Sequence, residues 1–208
     1  MRAQTKLEEQ LNAWTHGFGA LLGVIALVLL IVDANHLKPW SLFSVIVYGL
    51  SIIILFLAST FYHAVEGEKR KYYFRIVDHI SIYLLIAGTY TPVLLISLTD
   101  SLGWLLFWVV WGIAGFGVVL KLFFTGRFEV FSTLLYLVMG WLIVFDFTNV
   151  SEALGSNGIL WLYAGGLFYT VGIVFYAIRR IPYNHVIWHL FVLGGAICHF
   201  FMIYLHVI

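Results

Sequence analysis

The chain reads as long apolar runs separated by short polar breaks. A membrane-crossing helix needs about 20 mostly apolar residues. A window of that length finds seven candidates: Trp14 to Ile31, Trp40 to Tyr62, Ile76 to Leu98, Leu102 to Phe123, Val130 to Thr148, Ile159 to Ile178 and Asn184 to Val207. The breaks carry turn chemistry. Asp33-Ala34-Asn35-His36 and Lys38-Pro39 close the first run, and Thr99-Asp100-Ser101 closes the third. Ser151 to Gly158 holds Glu152, Gly155, Ser156 and Asn157, and the other breaks are charged. The pattern predicts an all-α polytopic membrane protein, a bundle of seven transmembrane helices forming one domain over residues 1–208. The first run is expected to be retained rather than cleaved as a signal peptide. Glu8 and Glu9 precede it, and Asp33-Ala34-Asn35 makes a poor small-residue cleavage site.

Composition agrees with burial in lipid. Hydrophobic residues are 62% of the chain and charged residues 10%, against about 45–50% and about 25% in soluble domains. There is too little polar surface to face water on all sides. A net charge of +1 gives no electrostatic reason for a nucleic-acid partner. A single cysteine, Cys198, excludes an intrachain disulfide and reads as a small buried hydrophobe. Basic residues mark cytoplasmic connections. With the N-terminus inside, Arg2, Lys6, Lys69, Arg70, Lys71, Arg75, Lys121, Arg127, Arg179 and Arg180 fall on the cytoplasmic side and only Lys38 outside. The expected topology is a cytoplasmic N-terminus and an extracytoplasmic C-terminus.

Ionisable groups inside membrane spans are costly and mark function by default. His185 and His189 are one helical turn apart at the start of the seventh run, close enough on one face to share a metal ion. His63 ends the second run and Asp78 begins the third, both at the same cytoplasmic end. Three histidines with an open position form the ligand set of a catalytic zinc site. Asp78 would then coordinate or hold a water, and Ser59, one turn before His63, would bond that water or a substrate. The competing reading is a set of interfacial histidines that bond neighbouring helices, with Asp78 near a helix N-terminus where the dipole favours a carboxylate. Spacing alone leaves both open.

Ser59-Thr60-Phe61-Tyr62-His63, then Asp78, then His185-Val186-Ile187-Trp188-His189 resembles the signature of the progestin and adipoQ receptor family. The Ser-x-x-x-His, Asp, His-x-x-x-His set is shared with the wider alkaline-ceramidase-like superfamily of membrane hydrolases. Glu8-Glu9-Gln10-Leu11-Asn12-Ala13-Trp14-Thr15-His16-Gly17 resembles the opening of the bacterial branch, hemolysin III. The resemblance covers essentially the whole chain. It implies zinc on His63, His185 and His189 at the cytoplasmic side, with Asp78 and Ser59 beside the metal. It also implies a multi-pass protein of the bacterial cytoplasmic (inner) membrane whose partners are membrane lipids, one of them a substrate or ligand. The function expected first is zinc-dependent hydrolysis of a lipid amide or ester by metal-activated water, ceramide-like amides being what the superfamily suggests. A receptor-like regulator of membrane fluidity or energetics with structural zinc is the second reading. A cytolytic pore former is the third, and a transporter ranks last.

Other polar residues read differently. Glu8, Asn12 and His16 recur every four residues on one face of the first helix. They either stand behind the metal ligands or fix that helix to the headgroups. His79 points about 100° away from Asp78 and is expected to pack. His199, about 15 Å deeper than His189, is expected to make an interhelical hydrogen bond. His36 and His206 lie at the outer end, and Asp146 reads as an outer anchor. Trp40, Trp104 and Trp161 fit an outer interfacial belt.

Overall fold

The computed structural model describes residues 4–34, 36–178 and 180–208. Arg2 and Arg179 of the basic inventory, and Asn35 of the first break, fall outside them. Every regular element among the described residues is helical: α1 Lys6–Asp33, α2 Ser41–Ala64, α3 Glu68–Pro92, α4 Gly103–Phe124, α5 Glu129–Gly140, α6 Phe147–Ala177 and α7 Asn184–His206. A π-helical turn, Val93–Ser97, continues α3 beyond Pro92, and a 3-10 turn, Leu142–Asp146, continues α5.

Two helices begin earlier than the apolar pattern predicts, for local reasons. At α1, Glu8 N–H donates to Thr5 Oγ1 at 3.2 Å while Thr5 N–H donates to Glu8 Oε2 at 2.8 Å. This capping box satisfies the free donors of the first turn and starts the helix at Lys6 rather than Trp14. In α3, Glu68 to Arg75 is charged and aromatic, so no apolar window covers it, yet its residues are good helix formers and extend the helix two turns below Ile76.

Among the described residues six stretches are long and apolar enough to cross a bilayer, the fifth being Glu129–Ala177 with 49 residues. A straight helix of that length would run about 74 Å, more than twice the hydrocarbon core of about 30 Å. The chain instead doubles back within it. Gly155 sits at φ 64°, ψ 177°, a backbone region that only glycine enters without strain. Trp141 Nε1 donates to Thr170 Oγ1 at 3.3 Å, and the Phe147 and Tyr163 rings stack 6.0 Å apart. Both pairs are centred on residue 155. The expected Ser151–Gly158 loop is therefore helical except at Gly155.

The contacts sort the helix termini into two ends. At one end meet the starts of α1, α3, α5 and α7 and the finishes of α2, α4 and α6, joined through Glu9–His63, Lys71–Glu9, Arg75–Glu129, Lys121–Glu129 and Tyr176–His185. At the other end Tyr204 hydroxyl bonds Asp33, and Lys38 Nζ donates to Val207 O at 3.4 Å. There too Trp40 and Trp104 meet edge to face at 5.5 Å. Helices α1 and α7 are consequently parallel neighbours. Large apolar side chains such as Trp14, Leu21, Val28, Trp108, Phe123 and Phe145 point outward, as a lipid environment requires and water would penalise.

Candidate metal centre

His63 comes from the last turn of α2, and His185 and His189 from the first two turns of α7. Each offers one ring nitrogen, and these three atoms lie within 4.8 Å of one another. The ring centroids are 5.1 Å apart for His63–His185, 4.9 Å for His63–His189 and 4.7 Å for His185–His189. His63 and His189 are buried, His185 partly so.

The hydrogen bonds behind the rings fix which nitrogen faces inward. His63 Nδ1 donates to Glu9 Oε2 at 2.7 Å, and Glu9 Oε1 accepts from Lys71 Nζ at 2.6 Å. His189 Nδ1 donates to the Asn12 carbonyl at 3.3 Å. A neutral imidazole that donates from Nδ1 has a lone pair at Nε2. His63 Nε2 is buried without a hydrogen-bond partner, a costly state unless something binds there. A carboxylate or carbonyl behind each imidazole is the usual support of metal-ligating histidines. A tetrahedral zinc at about 2.0–2.1 Å from each nitrogen would space them roughly 3.4 Å apart, within reach of small ring rotations. The residues present fit such an ion.

Asp78 and Ser59 line the cavity that His185 and His189 also line. Asp78 is partly buried and close enough to Ser59 and His63 to interact with both. Ser59 is 1% exposed. The cavity, about 140 Å³, runs inward between α2, α3, α5, α6 and α7, and its walls are mostly apolar.

The face of α1 expected either to stand behind the ligands or to fix that helix to the headgroups divides in three. His16 stacks on His189 with centroids 3.6 Å apart and planes 12° apart, and Phe56 meets it edge to face at 4.9 Å. Asn12 supplies its carbonyl to His189, while its side-chain Nδ2 donates to Gln4 Oε1 at 2.8 Å. Glu8 is used in the capping box and accepts from Tyr183 N–H at 3.1 Å, holding the entry to α7 against α1. The carboxylate that touches a histidine of the cluster is Glu9, which the four-residue spacing passes over. Its signal lay in its position: about 100° around α1 from Glu8, it faces α2 and α3, at the end where His63 and Lys71 stand.

A second ionic group lies beside the centre. Lys121, counted from sequence among the cytoplasmic-side charges at the end of the fourth run, is on α4 and only 1% exposed. It donates to Glu129 Oε2 at 3.0 Å, and Arg75 and Gly126 N–H donate to Glu129 Oε1 at 3.1 and 3.0 Å. His79 Nδ1 lies 3.7 Å from Glu129 Oε2, beyond hydrogen-bond length, and Tyr136 hydroxyl donates to the His79 carbonyl. At the other end Asp146 accepts from Ser101 Oγ, Leu102 N–H and Asn149 Nδ2 at 2.6, 3.1 and 2.6 Å. It pins the start of α4. His199 Nε2 donates to the Leu162 carbonyl at 3.4 Å, an interhelical bond between α7 and α6.

Comparison with known proteins shows what the chain is similar to. The family model described as "Haemolysin-III related" matches residues 4–200. The chain is 46% identical over 202 residues to "Hemolysin-3" of Bacillus cereus, covering 97% of this chain and 92% of that one. It is 45% identical over 197 residues to "Hemolysin-3 homolog" of Bacillus subtilis (strain 168), covering 94% and 92%. With the human "Monocyte to macrophage differentiation factor" it shares 29% over 208 residues, covering 96% and 84%.

Proposed function

The chain belongs to the haemolysin-III-related family, and from that premise we propose that it is a zinc-dependent intramembrane hydrolase of a lipid amide or ester. It is a multi-pass integral membrane protein of the bacterial membrane. The observation that carries the proposal is that the apolar-walled cavity lined by Asp78 and Ser59 is also lined by His185 and His189, two of the three histidines whose ring nitrogens cluster. The proposal includes seven crossings with the N-terminus cytoplasmic. It is supported by the reversal at Gly155 and the parallel course of α1 and α7.

His63, His185 and His189 would hold the ion, with Glu9 and the Asn12 carbonyl fixing two of the rings. When bound, zinc supplies Lewis acidity and lowers the pKa of its water to about 7. Asp78 accepts a proton from the attacking water and later returns it to the leaving amine or alcohol. Ser59 Oγ–H donates to the developing oxyanion. The apolar walls hold the acyl chain and exclude bulk water, which strengthens these polar contacts.

Metal content of detergent-purified protein comes first. About one zinc per chain is expected, with loss in His189→Ala. A panel of lipid amides and esters, ceramide-like amides included, is then offered to the zinc-loaded protein and to Asp78→Asn. Hydrolysis by wild type and a fall of at least about a hundredfold in the variant, with metal retained, is the expected result. An intact panel at full zinc occupancy would overturn the hydrolase reading and leave a regulator in which zinc ties α2 to α7. Dye release from liposomes carrying the pure protein would favour cytolysis, the activity that the names of the Bacillus relatives suggest.

A further inference from the structure

The cavity has a second polar end. Its lining runs along α3 from Asp78 to Tyr90, along α6 from Tyr176 to Gly166 and along α7 from His185 to His199. At 1.5 Å per residue these are about 18, 15 and 21 Å, so the space is a slot parallel to the helices. Its shaft is apolar, walled by Leu85, Ile86, Leu137, Ile173 and Val192. At the inner end Thr89, Tyr90, Trp141 and Thr170 have hydrogen-bond partners within the protein. Thr89 Oγ1 donates to Leu85 O at 2.8 Å, and Tyr90 hydroxyl donates to Gly140 O at 2.8 Å while accepting from Ile143 N–H at 3.0 Å. Trp141 Nε1 donates to Thr170 Oγ1 at 3.3 Å.

His199 differs. Its Nε2 faces the Leu162 carbonyl at 3.4 Å. A carbonyl only accepts, so Nε2 carries the hydrogen, and Nδ1 of the neutral ring is then an acceptor. Nδ1 is buried and has no partner. The Cδ2–Nε2 edge of the ring lies against Gly165 of α6, where a Cβ would collide with it, so the Nδ1 edge faces away from that helix. Tyr169 lines the same end, its ring 5.5 Å from that of His199. A saturated chain filling the slot leaves Nδ1 unpaired, whereas a chain bearing a hydroxyl at that depth satisfies both groups at once.

We propose that His199 forms a second polar subsite, selecting chain-like amphiphiles that carry a hydroxyl donor well down the chain. The inference rests on reading the cavity as a lipid slot. His199 is ten residues beyond His189 on α7, about 15 Å. The favoured hydroxyl therefore stands roughly a dozen carbons of extended chain from the head that meets the histidine cluster.

The test uses zinc-loaded full-length protein in nanodiscs and three probes: stearate, stearate hydroxylated about two-thirds along its chain, and the methyl ether of that hydroxyl. Displacement of a fluorescent fatty acid gives the affinities. The hydroxylated probe is expected to bind about tenfold tighter than stearate, and the ether, which cannot donate, to lose that preference. His199→Phe should lose the preference, its affinities for stearate and for the hydroxylated probe becoming equal to each other. The ligand-side comparison needs no variant, so it stands even if His199→Phe fails to fold. Equal binding of stearate and its hydroxylated form by wild type would overturn the subsite while leaving the lipid slot intact. Failure of all three probes to bind would remove the lipid slot and the subsite with it.

Discussion

At the scale of single residues, the centre depends on which ring nitrogen each histidine turns inward. Glu9 settles this for His63 by accepting from Nδ1 at 2.7 Å, and Lys71 holds the carboxylate from its other oxygen at 2.6 Å. Glu9→Gln keeps an acceptor in place but removes the charge that strengthens the bond and raises the basicity of the ring. Zinc affinity, measured by competition with a chromogenic chelator, should weaken about 10–100-fold, while the helical circular dichroism stays unchanged. An unchanged zinc affinity would assign Glu9 to anchoring Lys71 alone. The candidate ligands were legible in the sequence because His185 and His189 recur at helical spacing and few ionisable groups lie inside the spans. Glu9 was not legible. Helical spacing groups residues along one face of one helix, whereas the partner of Glu9 is 54 residues away on α2. Glu8, the neighbour that spacing selected, is taken up by the capping box and by Tyr183.

At the scale of elements, α5 is held to the bundle by buried charge at one terminus and bent back by a single glycine beyond the other. Lys121 is 1% exposed and donates to Glu129. Removing one member of a buried pair leaves an uncompensated charge, which costs about 3–5 kcal/mol. Glu129→Leu should therefore destabilise strongly, while the double change Lys121→Met with Glu129→Leu should recover most of the loss. Unfolding in mixed micelles measures both. Additive losses would show that the two side chains act independently. At Gly155, φ 64° with ψ 177° is closed to residues with a Cβ, and Gly155→Ala should cost about 1–3 kcal/mol in the same assay. A silent substitution would mean the reversal needs no glycine. The apolar runs disclosed the helices, but not that the polar stretch from Ser151 to Gly158 is helical on both sides of Gly155. Nor could hydropathy show Lys121 turned inward, since a window average treats a buried cation near a helix end like one in water.

At the scale of the whole molecule, the direction of α7 relative to α1 decides where the C-terminus lies. Near the histidine cluster, α1 contributes Asn12 and His16 to contacts with His189. At the far end Asp33 of α1 meets Tyr204 of α7. The two helices run the same way, so an odd number of passes connects the start of the first to the end of the last. Six crossings would make them antiparallel. If α5 and the part of α6 after Gly155 each cross, the count is seven, and the basic clusters at Lys69, Arg70, Lys71 and Arg75 fall on the side of the N-terminus, the cytoplasmic side by the bias of positive charge. Alkaline phosphatase fused after Ile208 should then be active and green fluorescent protein at the same point dark. Fusions in the α4–α5 connection, near Arg127, should give the reverse. A fluorescent C-terminal fusion with inactive phosphatase would require an even number of crossings. In that case α7 could not run parallel to α1 across the same bilayer, and the pairing of His189 with Asn12 and His16 that builds the centre would have to be abandoned along with the topology.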